Sequence, residues 1–347
     1  MNKKFTILLV YLLIFCQCAY SQQLPVDKAQ FFKEEGILNV TIETYWTRLI
    51  KQKFIRGKQY AALFTVCLPD STKISEGVYL SVRGKFRREY CNLPPLKLSF
   101  IRVDSAVAKR LQSFKLVSAC GFSNIHEQYL FKEYLTYKIY NLLTPKSFMV
   151  KLLNIQFKDS SQKNKSFTKH AFLVENLKDL ANRNNCKEWK GSKQNTEATN
   201  RAQMTLVAIF QYMIGNTDWS VKAMHNIKLI TPTGEAYPKP FAIPYDFDYA
   251  GLVDTDYAIP DPLLNTVSVK QRVYRGFIRS MEELNEVLSL FKNQKDNIYN
   301  LINTFELLTP ASKRGMINYL DDFYDSIKNP KNVRSIFIDN ARTLNSI

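Results

Sequence analysis

Apolar positions alternate with polar ones in the first half of the chain and recur at helical spacing in the second. Residues 37–68 mix short alternating runs such as Leu38, Val40 and Ile42 with β-formers, the pattern of strands that open a sheet. Val78, Leu80 and Val82 alternate with Tyr79, Ser81 and Arg83, and Leu96, Leu98 and Phe100 with Lys97 and Ser99. Each run predicts a strand with one buried face. Residues 126–145 place Leu130, Phe131, Tyr134, Leu135, Ile139, Leu142 and Leu143 at helical spacing, with Pro145 past the end, and predict a helix. On its wheel Glu127 falls near the apolar stripe and Glu133 opposite it. Two further strands are predicted at 148–159 and 170–176, the second ending near Glu175, where the chain would cross between two lobes.

Residues 178–202 are polar and rich in Asn and Lys, and read as an exposed connection. The run 204–215 is apolar nearly all round, as a buried central helix is, and stops at Gly215. A strand beginning at Asn226, a turn at Gly234 and a strand over 240–245 predict a hairpin. Beyond a loop at 254–265, amphipathic helices are expected near 276–293, 294–307 and 310–328, the last with Thr309 as N-cap and Pro310 in its first turn. The expected protein is α+β and bilobal, with a β-rich lobe at 22–177 and a mainly helical lobe at 178–347.

The first 21 residues stand apart. Lys3 and Lys4 precede an apolar run over 5–15, and Ala19, Tyr20 and Ser21 follow as a small-residue cleavage pattern, which predicts a secretory signal and export to the periplasm, the cell envelope or the medium. A lipoprotein anchored through Cys16 or Cys18 is the alternative, against which bulky Phe15 before Cys16 argues. No later stretch is long and apolar enough to span a membrane. Cleavage leaves Cys67, Cys91, Cys120 and Cys186, for which three pairings are open. Cys91 with Cys120 is preferred, against the reading that all four are buried thiols. With three histidines and no CxxC, a structural zinc site is not expected. The net charge of +17, about +15 without Lys3 and Lys4, would attract anions, from nucleotides to acidic envelope glycan or lipid. The charge is spread along the chain and no nucleic-acid-binding motif is evident, so no specific nucleic-acid partner is expected and charge alone identifies no partner.

Candidate chemistry gathers on either side of the predicted hairpin. Asn216, Asp218, His225 and Asn226 precede it, and Asp246 and Asp248 close it. Phosphoryl transfer needs magnesium ligands, a carboxylate at the acceptor hydroxyl and cations on the nucleotide. In this order Asp218 is the catalytic carboxylate, and Asn226, Asp246 and Asp248 are the metal ligands. His225 is a base or an orienting group. Taken singly, either cluster also reads as a turn or a cap. Arg83, Lys85, Arg87 and Arg88 surround Gly84 in a loop that would hold phosphate or lie solvated. Lys97 points opposite Leu96 and Leu98, where a nucleotide-binding lysine or a surface lysine would sit, and Glu127 or Glu133 would be its partner.

The segments GNTDWSVKAMHN (215–226) and PYDFD (244–248) resemble the motif pair of the spore-coat CotH kinase family and, more distantly, HipA-type kinases. VRGKFRREYCNLPPLKLSF (82–100) is similar to that family's arginine-glycine turn and lysine strand, and HAFLVEN (170–176) to its strand before the interlobe hinge. The resemblance covers roughly residues 78 to 255 and implies a protein-kinase-like fold. It implies ATP between the lobes, with Lys97 on its phosphates, Arg83, Arg87, Glu133 and Glu175 around it, and Asn226 with an aspartate of 246–248 on magnesium. The pattern departs from the family's in three respects: Asp218 and Asn226 are eight residues apart, where kinases have five; the turn after Arg83 lacks the usual small polar residues; and two aspartates, Asp246 and Asp248, compete for the metal. Two other readings stand beside an exported kinase: a catalytically silent binding module on the same scaffold in surface or envelope assembly, and a basic envelope protein that binds acidic glycan or lipid.

Overall fold

The structure, a computed structural model, describes residues 28–67, 73–101, 113–162, 164–191 and 194–343. The expected export signal at 1–21 lies outside them. The chain is α+β, with strands dominating the first half and helices the second.

Seven strands close into a barrel. Leu38–Thr44 (β1), Tyr60–Cys67 (β2), Lys73–Val82 (β3), Leu96–Phe100 (β4) and Ser113–Ser118 (β5) pair antiparallel in chain order. Val150–Asp159 (β6) and Phe167–Val174 (β7) form a hairpin that completes the circle in the order β1-β2-β3-β4-β5-β7-β6. The closing pair, β1 with β6, is parallel, with Leu38 opposite Leu153 and Thr44 opposite Asp159. Closure removes the free edges that an open sheet would expose. Ile42, Phe64, Leu80, Leu98, Phe114, Leu116 and Phe157 fill the interior. The helix Lys28–Lys33 (α1) packs Phe31 and Phe32 on Phe114 with ring centroids 6.2 and 5.7 Å apart. Trp46, opening the helix Trp46–Lys51 (α2), packs on Phe157.

Alternation along β5, β6 and β7 sends Val117, Val150, Leu152, Phe172 and Val174 into a second, larger core outside the barrel. After the short helix Phe86–Tyr90 (α3), the helix Asn124–Leu143 (α4) lies between the barrel wall and the rest of that core. It matches the helix expected at 126–145, but it is buried on several sides, and Glu133, expected opposite the apolar stripe, is only 2% exposed. The helix Arg201–Met213 (α6) is the buried central helix read from the sequence, capped by Asn200, whose side chain accepts from Gln203 N–H.

Two expectations are corrected. Residues 178–202 are more than an exposed connection: they carry most of the helix Leu177–Arg183 (α5) and the strand Cys186–Glu188 (β8), and Leu180, Ala181 and Cys186 are buried. The few apolar residues that do this are spaced too widely to stand out among Asn and Lys. β8 joins Ile227–Pro232 (β9) and Phe241–Pro244 (β10) in a three-stranded sheet ordered β10-β9-β8. Secondly, the helices expected at 276–293 and 294–307 are one helix, Met281–Thr304 (α7). Its polar middle does not interrupt the apolar phase, since Leu284, Leu288, Phe291, Ile298 and Ile302 are all buried on one side. Its start is set by a capping box, with the Ser280 side chain accepting from Glu283 N–H and the Glu283 side chain accepting from Ser280 N–H. The helix Pro310–Ser326 (α8) begins with Thr309 as N-cap and Pro310 in its first turn, as expected, and Pro330–Arg334 (α9) follows. Among the described residues no helix is long and apolar enough to cross a membrane.

Candidate functional site

Three loops meet where the barrel faces the larger core. The first leaves α6 through Gly215, whose φ is +65° and whose missing side chain leaves room for the Tyr319 hydroxyl: a Cβ there would lie 1.9 Å from it. Asn216, buried, then accepts from Asp218 N–H with Oδ1 at 2.9 Å. The second loop enters β9 at Asn226, and the third leaves β10 through Asp246 and Asp248. The β9 and β10 register, Ile227 opposite Pro244, sets Asn226 beside Tyr245, whose N–H donates to the Asn226 carbonyl at 3.1 Å. Asn226 and Asp246 therefore stand at the same end of one hairpin. Both have positive φ, 49° and 64°, a region in which Asn and Asp are enriched among residues other than glycine.

The eight-residue separation of Asp218 and Asn226 is taken up by a tight excursion. Ser220 and His225 exchange both backbone hydrogen bonds at 2.9 Å, so residues 221–224 loop out and Asn226 returns to Asp218. The Asn226 side-chain amide donates to the Asp218 carbonyl at 2.8 Å and to its carboxylate Oδ2 at 2.9 Å. His225 Nε2 shares a 2.7 Å hydrogen bond with the other carboxylate oxygen, Oδ1. His225 thus orients both the loop backbone and the carboxylate. Asp218 borders a cavity of about 490 Å³, together with Tyr249, Ile259, Pro260 and Arg275.

The two aspartates after β10 have different surroundings. Asp248 is buried, accepts from the Tyr257 hydroxyl at 3.1 Å and lies 3.8 Å from Arg87. Asp246 is half-buried, and its N–H donates to the Tyr137 hydroxyl of α4 at 2.8 Å. Of the two, Asp246 is the one placed to meet a ligand. Burial, reinforced by Asp246, raises the Asp248 carboxyl to about 6 against the pull of Arg87 and Tyr257. Burial, with Asp248 next, also raises Glu133 well above the usual carboxylate range. Burial disfavours the Arg87 charge, but Tyr257, Asp248, Glu133 and Asp246 outweigh it and keep the guanidinium protonated.

Arg87 therefore does not hold phosphate in a loop. The loop expected at Arg83–Arg88 folds after Gly84 into α3, which buries Arg87 against Glu133 at 3.5 Å and lets it donate to the Ser118 carbonyl at 2.5 Å. The Cys91–Cys120 disulfide, the preferred pairing, ties the end of α3 to the end of β5, while Cys67 and Cys186 are free thiols. Glu133 is thus the partner of Arg87 and not of Lys97. Glu127 pairs instead with Lys169 and His170 of β7, each at 3.0 Å. Glu175 lies just past the end of β7, held by Arg183 at 2.8 Å and by Met149 N–H at 3.0 Å, so its side chain ties the end of β7 to α5 and to the start of β6.

Lys97 is exposed on the outer face of the barrel. The lysine facing Asp246 is its cross-strand neighbour on β5, Lys115. Burial, then Arg83 and Lys228, lowers the Lys115 ammonium to about 8, and Asp246 pulls the other way. It lies 4.7 Å from the Tyr245 ring centroid. Arg83 is likewise half-buried and lowered by burial, with Asp246 opposing. Lys115 has a signal in the sequence, because Phe114 and Leu116 alternate with it just as Leu96 and Leu98 do with Lys97. Tyr137 and Tyr257 have none.

Among the described residues no three His, Cys, Asp or Glu side chains form a group able to hold a metal unaided. The site fits magnesium in the manner usual at phosphates, where one or two protein ligands are joined by phosphate oxygens and water. Asp246 offers an accessible carboxylate, and Asn226, with its amide nitrogen committed to Asp218, retains its amide oxygen. Compared with known proteins, the chain matches no family model, and no curated protein matches it.

Proposed function

We propose that the chain is an exported phosphotransferase with a kinase-like, bilobal architecture, which moves the γ-phosphoryl group of ATP to a hydroxyl on a protein or other acceptor. The observation that carries this reading is the placement of Asn226 and Asp246 at one end of a single hairpin, with Asp218 bonded to Asn226. The likeness to CotH kinases in residues 215–226 and 244–248 supports it. So does the meeting of Lys115 and Arg83 at Asp246, with Lys228 close to Lys115, a concentration of half-buried cations that suits a polyphosphate. Export rests on the pattern of residues 1–21.

Magnesium, when bound with ATP, would be held by Asp246 and Asn226 and would neutralise charge on the phosphates. Lys115 and Arg83 orient the phosphates from the barrel side. Asp218, kept in place by His225 and Asn226, receives the acceptor's hydroxyl proton as the new O–P bond forms and the bond to the leaving diphosphate breaks. Asp248 serves from below, holding Arg87 and the turn that presents Asp246.

A second reading, a silent binding module on this scaffold, is favoured by one observation. Active kinases pair a strand lysine with a helix glutamate, whereas Glu133 here is taken by Arg87. Transfer of labelled γ-phosphate separates the two. The phosphotransferase reading expects incorporation by the wild-type protein that is lost in Asp218→Ala, and nucleotide binding without incorporation selects the silent module. Absence of nucleotide binding, with salt-sensitive retention on acidic polymers, selects the envelope-binding alternative.

A further inference from the structure

A second cavity, of about 290 Å³, adjoins the one beside Asp218, and Trp219, Ser220 and Arg275 line both. Its other walls include Lys222, Phe277 and Arg342. Three cationic side chains face this space, and among the described residues no Asp or Glu lines it. Burial, then repulsion by Arg342, lowers Arg275 below the usual guanidinium range, with only Asp261 and Asp218 opposing; burial lowers Arg342 as well. Both residues are held in place, Arg275 through its side chain and Arg342 through its backbone. Arg275 Nη1 donates to the carbonyl of Thr217, the residue before Asp218. Arg342 N–H donates to the Gly276 carbonyl at 2.9 Å, and Ile278 N–H donates to the Arg342 carbonyl at 3.2 Å.

A second observation points to a missing acceptor. Trp219 Nε1 and Arg275 Nε are buried and have no hydrogen-bond partner among the described residues, although Trp219 is only 5% exposed. Buried donors are almost always satisfied, and an unmet donor on a cation is the most costly kind. The two side chains that carry these donors both line the cavity, and an anion entering it would relieve the repulsion between the two arginines.

We infer that this cavity is an anion subsite of the acceptor, holding the carboxylate of an acidic residue close in sequence to the hydroxyl residue that Asp218 meets. The acceptor class is an acidic peptide. Trp219, Val221 and Phe277 supply apolar walls suited to the methylene groups of a Glu side chain, and Gln194, Asn195 and Thr196 supply amide and hydroxyl partners for the peptide groups that flank it. This assignment rests on the phosphotransferase reading for the role of the first cavity, but the subsite can be tested without catalysis.

The test is fluorescence anisotropy of a labelled peptide carrying Ser flanked by Glu, without nucleotide and at fixed ionic strength, against the same peptide with Gln for Glu. The expected result is binding weakened by about tenfold or more in the Gln peptide, and by a similar factor in Arg342→Gln and, to a lesser extent, in the exposed-site variant Lys222→Gln. Lys292→Gln, exposed on α7 and outside both cavities, should bind as wild type. Equal binding of the two peptides, or no effect of Arg342→Gln in a protein with wild-type circular dichroism, overturns the subsite. Tighter binding of an acidic oligosaccharide through Arg342 overturns the peptide assignment. Peptide binding with these dependences but no phosphate transfer leaves the subsite standing and removes the phosphotransferase reading.

Discussion

Asn226 holds Asp218 by two hydrogen bonds from one amide, at 2.8 Å to the carbonyl and 2.9 Å to the carboxylate. The pair joins the end of α6 to the start of β9 and fixes the position of the carboxylate next to the cavity. Asp218 takes its orientation from this amide and from His225.

Replacing Asn226 separates the amide from the backbone that carries it. Asn226→Gly removes both hydrogen bonds but tolerates the φ of 49°, so its unfolding free energy should fall by about 1 to 2 kcal/mol. Asn226→Ala should lose roughly 1 kcal/mol more, since a Cβ is strained in that region. Urea denaturation of the two variants checks this, and equal losses would show that the backbone there is not as described.

Arg87 neutralises a buried acidic group. Removing it in Arg87→Met leaves Glu133 and Asp248 without a cation, and a broken buried pair costs about 3 to 5 kcal/mol. Asp248 is raised to about 6 and Glu133 also lies above its ordinary value, so in the folded variant these groups bind protons that the unfolded chain releases at neutral pH. Stability should therefore fall as pH rises, and the deficit of Arg87→Met should be larger at pH ~8 than at pH ~5 by thermal melts. A deficit independent of pH would contradict the network.

Glu127 acts in the opposite sense. Despite burial, its hydrogen bonds to His170 and Lys169 lower it from 4.5 to about 2. A lowered carboxylate stabilises the fold above its unfolded value, and that contribution is lost as pH falls from 4.5 towards 2. Glu127→Gln should thus flatten the acid limb of the Tm profile across this window. An unchanged slope would mean that the contact between α4 and β7 carries no such linkage.

Much of the architecture is legible in the sequence because it depends on local pattern. Alternation at Leu96–Phe100, the helical spacing of Leu130 to Leu143 and the Thr309-Pro310 start each identify an element unaided. Barrel closure depends on the parallel pairing of β1 with β6, a contact between residues more than a hundred positions apart, which no local pattern encodes. The same distinction runs through the site. Asn216, Asp218, Asn226, Asp246 and Asp248 are dense in polar groups beside apolar runs and could be picked out. The role of Arg87 depends on α3 forming after Gly84, and the replacement of Lys97 by Lys115 depends on which of two adjacent strands faces the larger core. The difference between Asp246 and Asp248 arises from Tyr257 and Arg87, distant in sequence.

Nucleotide titration followed by thermal shift, with and without magnesium, tests the central claim most directly. ATP should raise the Tm of the wild-type protein in a magnesium-dependent manner, growing with ligand concentration as binding to the folded state requires, and Asp246→Ala should abolish the shift while retaining its own cooperative melt. A wild-type protein whose Tm is indifferent to ATP in the presence of magnesium, or an Asp246→Ala variant stabilised as strongly as wild type, would contradict it.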